Sequence, residues 1–146
     1  MKSKRGFTLV ELAVVVVIIG VLAAFAVPRF MASVERSKAA EAFNFLSAVQ
    51  AAQERYHARQ GTYASLLTDL DIKMSAPKYF TPGAIAAGST ASLQNSWKLT
   101  LTRTGASAGY GEYTVSYNEE GFDSENSTIA QKDDINPMQT GTTSKG

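Results

Sequence analysis

The sequence predicts an α+β protein in which one long N-terminal helix carries a small antiparallel β-sheet on its C-terminal half. Three features lead there. A continuous apolar run opens the chain, apolar residues at three- and four-residue spacing follow it, and two short segments of strict alternation come later. A length of 146 residues suits one domain with a modest core.

The apolar run comes first. Sixteen consecutive residues, Leu12 to Val27, carry no charged or strongly polar side chain, and the run reaches back to Phe7 with only Thr8 and Glu11 interrupting it. About twenty such residues, rising about 1.5 Å each, cross a hydrocarbon core of about 30 Å. The segment is therefore expected to span a membrane. Ahead of it stands Met1-Lys2-Ser3-Lys4-Arg5-Gly6, with three basic residues in six. Such a flank keeps its end cytoplasmic and places the rest of the chain outside. A secretory signal peptide shares the basic start, and Ala24-Phe25-Ala26 offers an Ala-x-Ala pattern. Against that reading, the run is long and leads through Pro28-Arg29-Phe30 into further helix. Glu11 is the anomaly: a carboxylate inside a membrane helix is costly without a partner and usually marks function.

Helical character continues past the run. Pro28 removes a backbone donor and is expected to kink the helix. From Arg29 to Gln60, Ala42, Phe45, Leu46, Val49, Ala52 and Tyr56 recur on one face, while Glu35, Arg36, Lys38, Glu41, Asn44 and Glu54 are assigned to the others. Gly61 reads as the stop. Residues 75–92, rich in Gly, Ala, Ser, Thr and Pro, read as surface loop. Trp97-Lys-Leu-Thr-Leu-Thr102 alternates with Trp97, Leu99 and Leu101 on one side, and Tyr113-Thr-Val-Ser-Tyr117 does so with Tyr113, Val115 and Tyr117. Each predicts a strand with one covered and one wet face, with a hairpin loop at 105–111 between them. A third strand is expected around Ser127 to Gln131. Beyond Asn118 the chain is acidic, and its last residues, Gly141 to Gly146, read as disordered.

Composition closes several routes. With 14 basic and 13 acidic residues, electrostatics alone do not favour nucleic acid as a partner. Arg55, Arg59, Lys73, Lys78, Lys98 and Arg103 form a basic patch only if the fold gathers them. No cysteine is present, which removes a disulfide framework, a thiolate metal site and a Cys nucleophile. The single histidine, His57, reads as a surface or half-buried helix residue rather than a triad member or ligand. The acidic residues from Glu119 to Asp134 have the right chemistry for calcium but lack EF-hand spacing, and read as solvated. No catalytic activity, cofactor or metal is expected.

The stretch Gly6-Phe7-Thr8-Leu9-Val10-Glu11-Leu12, followed by Val-Val-Ile-Ile-Gly20 and Pro28, resembles the N-terminus of type IV pilins and of type II secretion pseudopilins, from about Lys2 to Phe30 without a gap. The resemblance implies a pilin-like fold and cleavage between Gly6 and Phe7 by a prepilin peptidase, with N-methylation of Phe7. It also implies that Glu11 pairs with the Phe7 amine of a neighbouring copy during polymerisation. A carboxylate and an ammonium, each costly alone in an apolar bundle, become tolerable together. The implied partners are other subunits, the peptidase and an inner-membrane assembly platform. The implied location is the inner membrane, N-terminus cytoplasmic, and afterwards an extracellular pilus or periplasmic filament. The expected organisation is a leader at 1–6, a transmembrane and assembly half-helix at 7–28 and an amphipathic half at 29–60. An αβ-loop at 61–96, opened by Gly61-Thr62-Tyr63-Ala64, a sheet at 97–131 and a polar flexible tail at 132–146 complete it. The leading reading is a pilus-like filament subunit, with a major pseudopilin of a type II secretion system as the alternative. A single-pass membrane-anchored binding protein is a more distant one, because it leaves Glu11 unexplained.

Overall fold

The computed structural model describes residues 5–105 and 109–139. One helix, α1 (Leu9–Gln60), runs unbroken through Pro28, so the missing proline N–H does not end it. It stops at Gly61, whose φ of 72° is left-handed and whose N–H reaches His57 O at 2.8 Å. A residue with a Cβ would be strained in that conformation.

The helix has two halves with different surroundings. Up to Val34 its large apolar residues face outward: Leu9 is 87% exposed, Phe25 71% and Phe30 69%. This half is long and apolar enough to cross a membrane. From Glu35 onward one face is buried, with Ala39, Ala42, Phe43, Phe45, Leu46, Val49 and Ala52 in the core and Tyr56 packed at its margin. The apolar face anticipated from the sequence is the buried one.

The sheet lying on that face has five strands, β1 (Phe80–Pro82), β2 (Ala86–Ala87), β3 (Trp97–Arg103), β4 (Thr114–Asn118) and β5 (Gly121–Phe122). All pairings are antiparallel in the order β1-β3-β4-β5, and β2 also pairs with β3. Register sets Leu99 opposite Tyr117 and Leu101 opposite Val115. Trp97, Leu99, Leu101, Tyr113, Val115 and Tyr117 are all buried, and Phe43 of α1 packs its ring between Tyr117 and Phe122 at 6.0 and 5.0 Å between centroids. The result is the α+β arrangement the sequence predicts.

Four local expectations change. The stretch 75–92 holds β1 and β2, short strands that exist only because β3 offers them an edge. Gly88 follows β2 so closely that a Cβ there would meet Trp97 O at 2.9 Å. Ser127 to Gln131 is not a strand: Thr128–Gln131 is a 3-10 turn, and Ser127 Oγ accepts the Ser116 N–H at 2.8 Å. That segment covers the middle of the outer face of β4, so Ser116 is buried while Thr114 and Asn118 on the same face stay half-exposed. Residues 132–139 do not form a free tail, because Ile135 and Asn136 are buried and Arg36 Nη2 donates to Gln139 O at 3.1 Å. Gly141 to Gly146 lie outside the described residues, as do residues 106–108 of the expected hairpin loop.

Trp97 is fully buried, and its Nε1 has no hydrogen-bond partner among the described residues. The ring therefore stabilises by packing alone. Trp97→Ala is expected to cost about 3–5 kcal/mol, measured as a lower melting temperature of the head, residues 29–146, which should be soluble without the apolar half. Trp97→Phe, which removes an unpaired N–H along with some volume, should cost clearly less. An unchanged melting temperature for Trp97→Ala would contradict this packing.

Candidate functional site

Thr8 ends the irregular N-terminal segment and caps α1, with φ −82° and ψ 155°. Its Oγ1 accepts the Glu11 N–H at 3.2 Å, and Glu11 Oε2 accepts the Thr8 N–H at 2.9 Å. This reciprocal pair is a capping box, and it satisfies two helix-end donors that apolar surroundings would leave unpaired. The Glu11 charge also faces the positive end of the helix dipole. Arg5, Gly6, Phe7 and Glu11 line one small cleft of about 190 Å³. Gly6, Phe7 and Glu11, named from one contiguous stretch of the sequence, line that cleft together, while Pro28 lies far along the exposed half of α1. Thr8 was not singled out; its signal was the Thr-x-x-Glu spacing ahead of an apolar run.

A second cluster lies at the start of the buried half of α1 and corrects two expectations. Glu35, assigned to an outer face, is fully buried, and Arg103, counted as a candidate for a basic patch, is buried against it. Arg103 Nε donates to Glu35 Oε1 at 2.6 Å and Nη2 to Oε2 at 3.2 Å; Tyr113 OH donates to Oε1 at 2.9 Å. Lys38 Nζ stands 3.6 Å from Oε2, and the Arg103 guanidinium lies over the Tyr79 ring at 5.5 Å. Burial raises the Glu35 pKa, but the bonds from Arg103 and Tyr113 and the charges of Arg103 and Lys38 outweigh it and hold the carboxyl below its usual range. Burial, then the bond to Glu35, pushes the Tyr113 hydroxyl well above the ordinary tyrosine value.

Of the remaining candidate cations, Arg55 is engaged with Asp71 at 2.8 Å, and Arg59, Lys73, Lys78 and Lys98 are exposed. His57 is half-buried, stacks on Tyr63 at 4.4 Å between centroids and lies 2.9 Å from Gln94 O through Nε2, a packing role. Among the described residues no group of three or more His, Asp or Glu side chains is arranged to hold a metal ion. Asp123 instead accepts both N–H groups of Asn126.

Comparison with known proteins assigns residues 1–27 to the prokaryotic N-terminal methylation motif. Residues 28–127 match the family described as type IV minor pilin ComP, DNA uptake sequence receptor. The type IV major pilin protein PilA of Myxococcus xanthus is 42% identical over 66 residues, 45% of this chain and 30% of that protein. The type II secretion system core protein G of Klebsiella pneumoniae is 36% identical over 77 residues, 53% of this chain and 55% of that protein. The type IV major fimbrial protein FimA of Dichelobacter nodosus is 60% identical over 42 residues, 28% of this chain and 26% of that protein. The matches span about half or less of the length of these curated relatives. No solved structure matches the chain. A methylation motif ahead of a matching head that rides on a single long helix makes the assignment: the chain belongs to the type IV pilin family.

Proposed function

We propose that the chain is a structural subunit of a type IV pilus-like filament. It is made with its basic end in the cytoplasm and its apolar half-helix in the inner membrane, cut between Gly6 and Phe7 by a prepilin peptidase, methylated at Phe7, and polymerised through that half-helix. The observation that carries the reading is the shared cleft of Gly6, Phe7 and Glu11 at the head of an apolar helix that nothing in a single copy covers. Cutting there creates an ammonium beside a carboxylate at the membrane surface. In a bundle of such helices each Glu11 takes a neighbour's Phe7 amine, so that neither charge is left alone in an apolar setting. The cut also removes three basic residues, leaving 11 basic against 13 acidic side chains.

The test is the mass of the protein's N-terminal peptide when it is expressed with its peptidase. A peptide beginning at methylated Phe7 is expected, and Gly6→Leu should leave the full precursor in the membrane, because a bulky side chain crowds the scissile bond. Normal maturation of Gly6→Leu would overturn the cleavage assignment.

Two observations support narrower readings. The likeness to type II secretion core protein G supports a pseudopilin, which would restore secretion rather than pili in the corresponding deletion strains. The family of the head supports DNA capture, for which the exposed Lys98 on β3, opposite Asn118, is a candidate contact while the buried Arg103 is not. Salt-sensitive binding of the head to duplex DNA would favour that role.

A further inference from the structure

The outward apolar surface of α1 does not stop at Pro28. Phe30, Met31 and Val34 are still exposed, and the twenty residues from Leu12 to Met31 carry one charge, Arg29. Twenty residues make about 30 Å of helix, the thickness of a hydrocarbon core. Arg29 then lies just inside the boundary, where a long side chain reaches the headgroups. Arg36 and Lys38 follow about 8 and 10 Å beyond Met31 along the axis, and helical side chains lean toward the N-terminus, here toward the bilayer. Lys38 has this lean: its Nζ stands 3.6 Å from Glu35, three residues earlier, and 4.9 Å from the centre of the Tyr79 ring. Lys78 Nζ is 5.6 Å from the same ring, and Val34, Ser37, Lys38, Glu41 and Tyr79 line an open cleft of about 430 Å³. Two carboxylates stand among these cations. Arg103 is bonded to Glu35, and one Glu41 oxygen accepts the Lys78 N–H at 3.0 Å. Arg36, Lys38, Lys78 and Arg103 against Glu35 and Glu41 leave an excess of two positive charges. Apolar helix, half-buried tyrosine and cations thus follow one another in the order hydrocarbon, interface and phosphate. Resting on the reading that the apolar half spans a membrane, we propose that this collar docks the head of the unassembled subunit on anionic phospholipid headgroups. A lipid phosphate lies in the cleft between Lys38 and Lys78, beside the Tyr79 ring, and holds the head against the bilayer.

The experiment places the full-length chain in nanodiscs of phosphatidylcholine, with or without phosphatidylglycerol, and follows acetylation of each lysine by acetic anhydride with mass spectrometry. Lys38 and Lys78 should react about fivefold more slowly when phosphatidylglycerol is present, the factor one basic residue gains at an anionic surface. Added salt should remove the difference. Lys98 is the internal control, because it lies at the opposite end of β3 from Arg103 and should react equally in both. Lys78→Gln keeps the backbone bond to Glu41 and should reduce the slowing at Lys38 to about twofold or less. Equal rates at Lys38 and Lys78 in the two lipids, or the same slowing at Lys98, would overturn the proposal. So would undiminished slowing at Lys38 in Lys78→Gln, or equal protection by inorganic phosphate added to phosphatidylcholine nanodiscs, which would mark a site for free phosphate. Failure of the membrane reading itself looks different: the chain would elute apart from the nanodiscs, and both readings would fall together.

Discussion

Glu35→Ala is expected to destabilise the head by about 3–5 kcal/mol, because it leaves the Arg103 guanidinium buried without its carboxylate and the Tyr113 hydroxyl without its acceptor. In a domain whose total stability is on the order of 5–15 kcal/mol, that is enough to unfold a large fraction of the protein. Arg103→Met should cost a comparable amount by stranding the carboxylate instead. The double change Glu35→Leu with Arg103→Met should cost clearly less than the two added together, since replacing a buried pair by apolar side chains removes both desolvation penalties. Urea midpoints of the four proteins measure this coupling; strict additivity would mean that the pair contributes nothing as a pair.

The same cluster sets a pH dependence. The Glu35 pKa is lowered on folding, so its contribution is present above the unfolded value, about 4.3, and fades as pH falls through the lower folded value. The melting temperature should therefore drop on acidification below about pH 4. Glu35→Gln should remove that part of the drop while lowering stability at neutral pH. An identical acid profile for Glu35→Gln would show that other carboxylates govern it.

Much of this architecture was readable from local pattern. The apolar run, the face carrying Phe45, Leu46 and Val49, the Gly61 stop and the alternating strands around Leu99 and Val115 each carry their signal within a few neighbouring residues. What escaped depends on partners distant in sequence. β1 and β2 are too short to show periodicity and owe their form to the β3 edge. The segment from Ser127 to Gln131 looks like strand, but Thr128–Gln131 folds as a 3-10 turn, with Ser127 bonded to Ser116 of β4. Glu35 and Arg103 both read as surface charges, and each is buried only because the other, 68 residues away, meets it. At the N-terminus the residues of the resemblance stand together, and the cap that Thr8 makes to the Glu11 amide had its signal in the Thr-x-x-Glu spacing.

Glu11→Val is expected to abolish or severely weaken filament assembly while leaving membrane insertion and leader removal intact. Valine makes the span more apolar, so insertion should be at least as efficient. Cleavage should persist, because the scissile bond lies between Gly6 and Phe7, ahead of the helix that holds Glu11. In a bundle, however, each Phe7 ammonium would enter apolar surroundings unpaired, a loss of about 3–5 kcal/mol per contact, repeated at every subunit. Glu11→Gln keeps an acceptor without the charge and should be intermediate. Glu11→Asp keeps the charge on a shorter arm and should assemble in part. A glutamate that merely reached toward headgroups would leave all three variants assembling normally. The deciding measurement is the number of filaments per cell, or of sheared subunits, for wild type and the three variants, normalised to mature protein in the membrane. Yields ordered with wild type highest, Asp and Gln between and Val near zero are predicted; wild-type yield from Glu11→Val would contradict assembly through the Glu11–Phe7 pair.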